Sequence, residues 1–235
     1  MDQLYIANKT YSSWSLRPWV LMTELGLPFD ERLVPFGSGS NREAFRRFSP
    51  TGQVPCLVTD DGQTLWESLA IVEFLAERQP AVWPADAQAR AWARCAAAEM
   101  HAGFQSLRSQ CPMTCAWRVR LRGVDAALQR DLDRLDELWG EGLARFEGPF
   151  LAGDRFTAVD AFFCPVAIRV QSYGLTLGEA AAAYVQRLLA LPAMRRWVAE
   201  ALAEPWIEPG HEADCLRGGE LLADLRPPRP SLPQA

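Results

Sequence analysis

A proline stands directly before a short apolar run: Val54-Pro55, then Cys56-Leu57-Val58. Proline gives no N–H to a ladder, so it sits at a strand start or a turn rather than inside a central strand. That makes Val54–Pro55 a candidate cis bond closing the turn Thr51-Gly52-Gln53-Val54-Pro55. Asp60-Asp61-Gly62 follows as a strong hairpin signal between apolar segments 56–59 and 64–66. In such a turn the N–H and C=O of Val54 face outward with no sheet partner, and an extended ligand can pair with them as an added strand. Eleven residues after Pro55 comes Trp66-Glu67-Ser68. Ser68 opens an apolar helical run, and helix N-termini attract anions. Together the two segments read as a device that holds a small peptide by its backbone and its carboxylate.

The surrounding pattern supplies a scaffold for that device. Residues 4–7 read as a buried strand, 15–25 as a helix capped by Gly26 with Pro28 beyond, and 31–36 as a second strand. Pro18 is acceptable in a helix that starts at Ser15, because it then falls in the first turn. Residues 42–48 read as a short helix and 68–77 as a third. The order strand-helix-strand-helix-strand-strand-helix gives a small mixed sheet, with the first two strands parallel across a crossover helix and the last two an antiparallel hairpin. This is the thioredoxin-like arrangement. Beyond the proline-bounded segment 80–84 helical periodicity takes over, with helices expected at 87–109, 124–146, 157–171, 178–191 and 193–202. The expected organisation is therefore α/β plus all-α: a thioredoxin-like unit over 1–80, a linker over 81–86, and a helical unit over 87–235 with a proline-rich tail from about 226.

Composition narrows the function. The formal net charge of −5 and pI of about 5.2 argue against a nucleic-acid partner. No apolar stretch reaches the ~18 residues of a membrane span, and the N-terminus lacks the pattern of a secretory signal. Six scattered cysteines, several inside apolar runs, fit reduced thiols in a cytosol. Cys111-Pro112-Met113-Thr114-Cys115 has the wrong spacer and no second Cys/His pair for zinc, so no metal is expected.

Three local signatures give this chain a resemblance to the cytosolic glutathione S-transferases, over nearly its whole length. Tyr11-Ser12-Ser13-Trp14-Ser15-Leu16-Arg17 is similar to the Ser-Ser-Cys-Ser-Trp-Arg motif of the zeta class. Gln53-Val54-Pro55 with Glu67-Ser68 is the second. Gly153-Asp154-Arg155-Phe156-Thr157-Ala158-Val159-Asp160 resembles the family's structural capping box, with Asp160 reaching back to the Thr157 N–H.

The resemblance implies a transferase that activates the thiol of glutathione, its co-substrate, for attack on a small electrophile, with a role in detoxification. It implies a homodimer in the cytoplasm. It also implies roles for particular residues. Ser12 is the first candidate for the hydroxyl that stabilises the thiolate, Ser13 and Ser15 are rivals, Tyr11 is less suited, and Arg17 adds positive potential. Val54 and Pro55 would hold the cysteinyl backbone. Gln53, Glu67 and Ser68 would hold the γ-glutamyl end, and Arg42 or Arg46 the glycine carboxylate. Trp14 replaces the zeta cysteine, which sets the specialised zeta isomerisation in doubt and gives Trp14 a place in the wall of a second-substrate pocket. His101, Phe104 and Arg108 are candidates for the same pocket, although a histidine on a long helix is as easily a surface or interface residue. Two alternatives stay open: a glutathione-dependent isomerase or peroxidase, and a non-catalytic binding module of the same fold.

Overall fold

The structure, a computed structural model, describes residues 1–37 and 39–228; most of the expected proline-rich tail lies outside the described residues. One four-stranded sheet has the order β2-β1-β3-β4, with β1 Gln3–Ile6, β2 Asp30–Leu33, β3 Cys56–Val58 and β4 Thr64–Trp66. β2 lies parallel to β1, while β3 runs antiparallel to both β1 and β4. The pleat separates the faces of β1: Leu4 and Ile6 are fully buried, whereas Tyr5 turns to the other side and stacks on Phe48.

Helix α1, Ser13–Glu24, begins two residues before the expected start at Ser15. Pro18 therefore lies inside the helix and not in its first turn. Its missing N–H leaves the Trp14 carbonyl without a helical partner. The other end behaves as its residues dictate. Gly26 takes a left-handed φ of 64°. Its N–H donates to the Thr23 carbonyl at 3.2 Å, and the Leu27 N–H donates to the Met22 carbonyl at 2.8 Å. Helix α2, Arg42–Phe45, is shorter than the expected 42–48, and α3 spans Ser68–Arg78. Helices α1 and α3 pack on each other and on the sheet.

The second half holds α4 Ala87–Ala102, α5 Gln105–Gln110, α6 Ala126–Arg145, α7 Ala158–Tyr173, α8 Glu179–Ala190, α9 Pro192–Ala203 and α10 Pro209–Leu216. The single helix expected over 87–109 breaks at Gly103-Phe104. A Cβ on Gly103 would meet the Glu99 carbonyl at 2.8 Å. Phe104 then takes a left-handed φ of 57° with its ring buried. The Arg108 guanidinium donates to the carbonyls of Met100, His101 and Gly103, which stabilises the end of α4. Helix α7 is apolar around nearly its whole circumference and runs through the core, against α1, α4 and α8.

The helical half also carries a small sheet that periodicity does not reveal. β5, Trp117–Leu121, pairs antiparallel with β6, Gly219–Asp224. This pairing lays the chain after α9 back along β5, and α10 reaches the sheet domain's first turn, where Glu212 meets Tyr11.

That first turn is fastened from the far end of the chain. The buried Glu204 carboxylate accepts the Lys9 N–H at 2.5 Å, the Thr10 N–H at 3.2 Å and the Thr10 hydroxyl at 3.0 Å. Lys9 forms ion pairs with Glu31 and Glu200, and its carbonyl accepts the Trp197 indole N–H at 2.9 Å. The segment between β1 and α1 is thus held rigidly between both halves.

Candidate functional site

A cavity of about 600 Å³ opens between the two halves of the molecule. One wall comes from the sheet domain: Tyr11 to Trp14 at the start of α1, Asn41 and Arg42, Gly52 to Val54, and Glu67. The opposite wall is made by Arg108, Pro112, Met113, Arg169 and His211.

The Val54–Pro55 bond is cis. Val54 precedes β3 and takes no part in the sheet ladder, and it faces the cavity together with Gln53. Gly52 must be glycine: its φ is 68°, and a Cβ there would meet Arg42 at 3.0 Å. Arg46 packs there too, at 3.2 Å, but of the two arginines it is Arg42 that lines the cavity. Glu67 also has a positive φ of 79° and caps α3 through its side chain, with Ser68 as the first helical residue. The Ser68 hydroxyl is buried and has no hydrogen-bond partner among the described residues. A buried hydroxyl without a partner is costly, and a ligand atom at this helix start would relieve it.

The three serines occupy different positions. Ser12 is the N-cap residue of α1 and lines the cavity, with its Oγ 2.7 Å from Ser15 Oγ. Ser15 is fully buried behind that wall, and its Oγ accepts the Ala7 N–H at 3.4 Å. Ser13 is the first helical residue and also lines the cavity. Tyr11 is committed elsewhere. Its hydroxyl donates to Glu212 at 3.0 Å, and burial together with that carboxylate pushes its ionisation upward.

Trp14 is the pivot between the walls. The Arg17 and Arg108 guanidinium groups lie 4.0 and 4.2 Å from its ring centroid, and the His101 ring meets it edge-on at 5.2 Å. Arg108 and Trp14 line the cavity. Arg17, His101 and Phe104 stand behind the wall: Arg17 under Trp14 and Phe162, Phe104 in the core, and His101 with its Nε2 3.2 Å from the Glu67 carboxylate. His101 therefore links the two halves, with its side chain half-buried. Burial, with Arg17 and Arg108 nearby, holds its ionisation below the usual value against the pull of Glu67.

Sequence reasoning did not single out Phe36, Asn41, Met113, Arg169 or His211. Arg169 did leave a signal, as the one basic residue in the apolar run of α7. It forms a cluster with Arg17 and Arg108. Burial lowers all three, and the groups' mutual repulsion adds to this for Arg17 and for Arg169, which falls to about 10. Guanidinium groups stay protonated in proteins, so the cluster holds positive charge partly withdrawn from water, with Glu67 opposing the shift at Arg17 and Arg108. Among the described residues none of the three forms an ion pair, and Arg17 Nε and Nη1 are buried with no partner at all. Among the described residues no group of His, Cys, Asp and Glu could hold a metal ion.

Comparison with known proteins agrees with this architecture. The model of the glutathione S-transferase N-terminal domain matches residues 11–78, and that of the C-terminal domain matches 85–200. Glutathione S-transferase GstA of Escherichia coli O157:H7 is 31% identical over 165 residues, spanning 65% of this chain and 75% of its own. The maleylacetoacetate isomerase of Pseudomonas aeruginosa is 27% identical over 222 residues, spanning 90% of this chain and 96% of its own. The crystal structure of a glutathione transferase homolog from Burkholderia GL BGR1 with bound glutathione superposes with a TM-score of 0.65 at 26% identity, over 86% of this chain and 99% of that one.

Proposed function

The chain belongs to the glutathione S-transferase family, and from that premise we propose that it binds glutathione along the sheet-domain wall and joins the intact tripeptide, through its sulfur, to a small electrophile. The observation that carries this reading is the convergence of Ser12 and Ser13, Gln53 and Val54, and Glu67 on one cavity wall. The Val54 backbone is free to pair with the cysteinyl unit. Glu67 and the start of α3, with the unpartnered Ser68 hydroxyl, suit the ammonium and carboxylate of the γ-glutamyl end. Gln53 lies beside them, and Arg42 suits the glycine carboxylate.

The chemistry then follows from the start of α1. A thiol with an ordinary pKa of about 8.5 is mostly protonated at neutral pH. A hydroxyl at a helix N-terminus stabilises the thiolate by a charge-assisted hydrogen bond and by the helix dipole. Ser12 suits this role because Ser15 supports it. The Ser12 hydroxyl donates to Ser15 Oγ at 2.7 Å, which holds it at the helix start, and a hydroxyl rotates to turn its proton to the stronger, charged acceptor when the thiolate is bound. One such bond to a charged acceptor is worth about 1.5–3 kcal/mol, enough to lower a thiol pKa by one to two units.

The arginine cluster favours an electrophile that carries a carboxylate, and it keeps isomerisation of an unsaturated acid in view as a second reading. A cytoplasmic homodimer is part of the proposal. Trp66, 44% exposed on edge strand β4, offers an apolar contact for a second copy. The reading is tested by titrating the purified chain with glutathione calorimetrically and measuring conjugation of an aryl chloride. Absence of glutathione binding would refute it. Binding without turnover would favour the non-catalytic alternative.

A further inference from the structure

The chain's C-terminal return, which lies beyond the 85–200 span matched by the family model, reaches the reaction cavity. β6 pairs with β5, and α10 is thereby laid against Tyr11. The contact is tied at two points: Glu212 accepts the Tyr11 hydroxyl at 3.0 Å and the Arg226 guanidinium at 2.6 Å. Arg226 is itself paired with Asp224 at the end of β6. This fastening presents His211 to the cavity. Its ring stacks on Tyr11 at 5.2 Å and on Phe36 at 4.8 Å, so its plane is fixed. Its Nδ1 is 2.7 Å from Glu208 Oε2, and Glu208 is held in turn by accepting the His211 backbone N–H at 2.6 Å. With Nδ1 donating to that carboxylate, Nε2 is the nitrogen left for a ligand. Of the two histidines in the chain, the other is engaged with Glu67.

We propose that His211 is a catalytic proton donor for second substrates in which the attacked carbon is conjugated to a carbonyl group. The inference rests on the glutathione-transfer reading and adds a reaction class to it. The step balances without a further reagent. The thiol proton leaves to solvent, and the thiolate forms a C–S bond at the β-carbon. The π pair moves to the α-carbon, the ring in its imidazolium form delivers its Nε2 proton there while keeping Nδ1–H on Glu208, and the neutral ring then takes up one proton from solvent. Ser12 stabilises sulfur at the start of α1, and His211, which lines the same cavity, completes the addition. An aryl chloride leaves its carbon as chloride and needs no such proton, so the two electrophile classes separate the role of His211 from that of Ser12.

The test compares the full-length chain with His211→Gln and Glu208→Gln, using trans-4-phenyl-3-buten-2-one and 1-chloro-2,4-dinitrobenzene as probes and calorimetry for glutathione. His211→Gln is expected to lower the ratio of enone to aryl-chloride kcat/KM by about 10²-fold, the usual size of a general-acid contribution. Glu208→Gln, which changes a positioning residue, is expected to lower the same ratio less. A ratio that stays constant, whether both rates fall together or neither changes, overturns the proposal and leaves His211 as a packing residue of α10. Failure of the wild-type chain to bind glutathione takes down the transfer reading, and this inference with it.

Discussion

The cavity wall proposed to face glutathione comes from short runs at residues 11–14, 41–42, 52–54 and 67, whose shape is set within a few residues of chain. The opposite wall gathers Arg108 from α5, Met113 from a loop, Arg169 from α7 and His211 from α10. The first wall is made by local backbone devices: a proline turn, a glycine with positive φ, two helix starts. The second is made by tertiary convergence, in which no residue's own neighbourhood shows which others it will meet. This division suits a transferase that keeps one substrate and varies the other. A wall written locally resists drift, while a wall assembled at long range changes whenever a helix shifts or a terminal segment is added.

The largest expected effect strikes the long-range wall through its support. Asp160 is fully buried and accepts the Leu151 and Thr157 N–H groups, the Thr157 hydroxyl and the Tyr184 hydroxyl, fixing the start of the helix that carries Arg169. Asp160→Ala is expected to destabilise the fold by about 3–5 kcal/mol in chemical denaturation, because several buried donors lose their acceptor. The effect has a definite pH sign. Burial, against those hydrogen bonds, raises the Asp160 carboxyl to about 6. The folded chain therefore holds this proton more tightly than the unfolded one, whose aspartates titrate near 3.9. The stability Asp160 contributes is full below about pH 4 and declines as pH rises through about 6. The wild-type margin over Asp160→Ala should accordingly be larger near pH 5 than near pH 7.5; a margin that grows with pH would contradict the burial argument.

Next in size is the loss of the thiolate donor. Ser12→Ala removes one hydrogen bond to a charged acceptor, and kcat/KM is expected to fall by roughly 10–100-fold, 1.5–3 kcal/mol, with every electrophile. Uniformity across electrophiles is the informative part. If the loss depended on the electrophile, Ser12 would belong to the variable wall and the division drawn above would fail.

A smaller and selective effect is expected at the arginines. Arg108→Gln removes one positive charge from the far wall and weakens the α4 end that Arg108 stabilises. KM for a carboxylate-bearing electrophile should rise by about tenfold, with a much smaller rise for a neutral one of similar size. Equal rises for both would show that Arg108 shapes the wall without reading charge.

The same division explains what the sequence made legible. The turn before Pro55, the hairpin at Asp60-Asp61-Gly62, the Gly26 cap and the Asp160 capping contact all lie within a few residues of the groups they organise, and each was readable. The pattern places the start of α1 two residues late, at Ser15, where Pro18 would fall in the first turn, whereas the helix packed against α7 and α9 holds it inside. The break at Gly103-Phe104 is hidden because alanine-rich periodicity runs up to it, while the burial of the Phe104 ring and the Arg108 contacts that accompany the break are tertiary. β5 and β6 are about a hundred residues apart, so neither carries a local sign of the other. His211 reaches the cavity only through that pairing, and no property of residues 205–215 alone announces it.

The smallest effects should resolve the serines, where sequence left three candidates. Ser15 cannot touch a ligand in the cavity, since it is fully buried behind Ser12. Its influence runs through the 2.7 Å contact with Ser12 Oγ, so Ser15→Ala should lower kcat by only a few-fold, less than one full charged hydrogen bond. A Ser12→Ala/Ser15→Ala double variant should then be no slower than Ser12→Ala alone, because the support has nothing left to support. Ser13 lines the cavity but has no such backing, and Ser13→Ala should change kcat by less than about threefold, within the range of ordinary surface substitutions. Should Ser13→Ala prove the more damaging change, the thiolate would sit one residue further along the helix start. The Ser12–Ser15 pair would then be a structural feature of the turn, and the local wall would still hold glutathione, with its chemistry assigned to the exposed hydroxyl instead of the supported one.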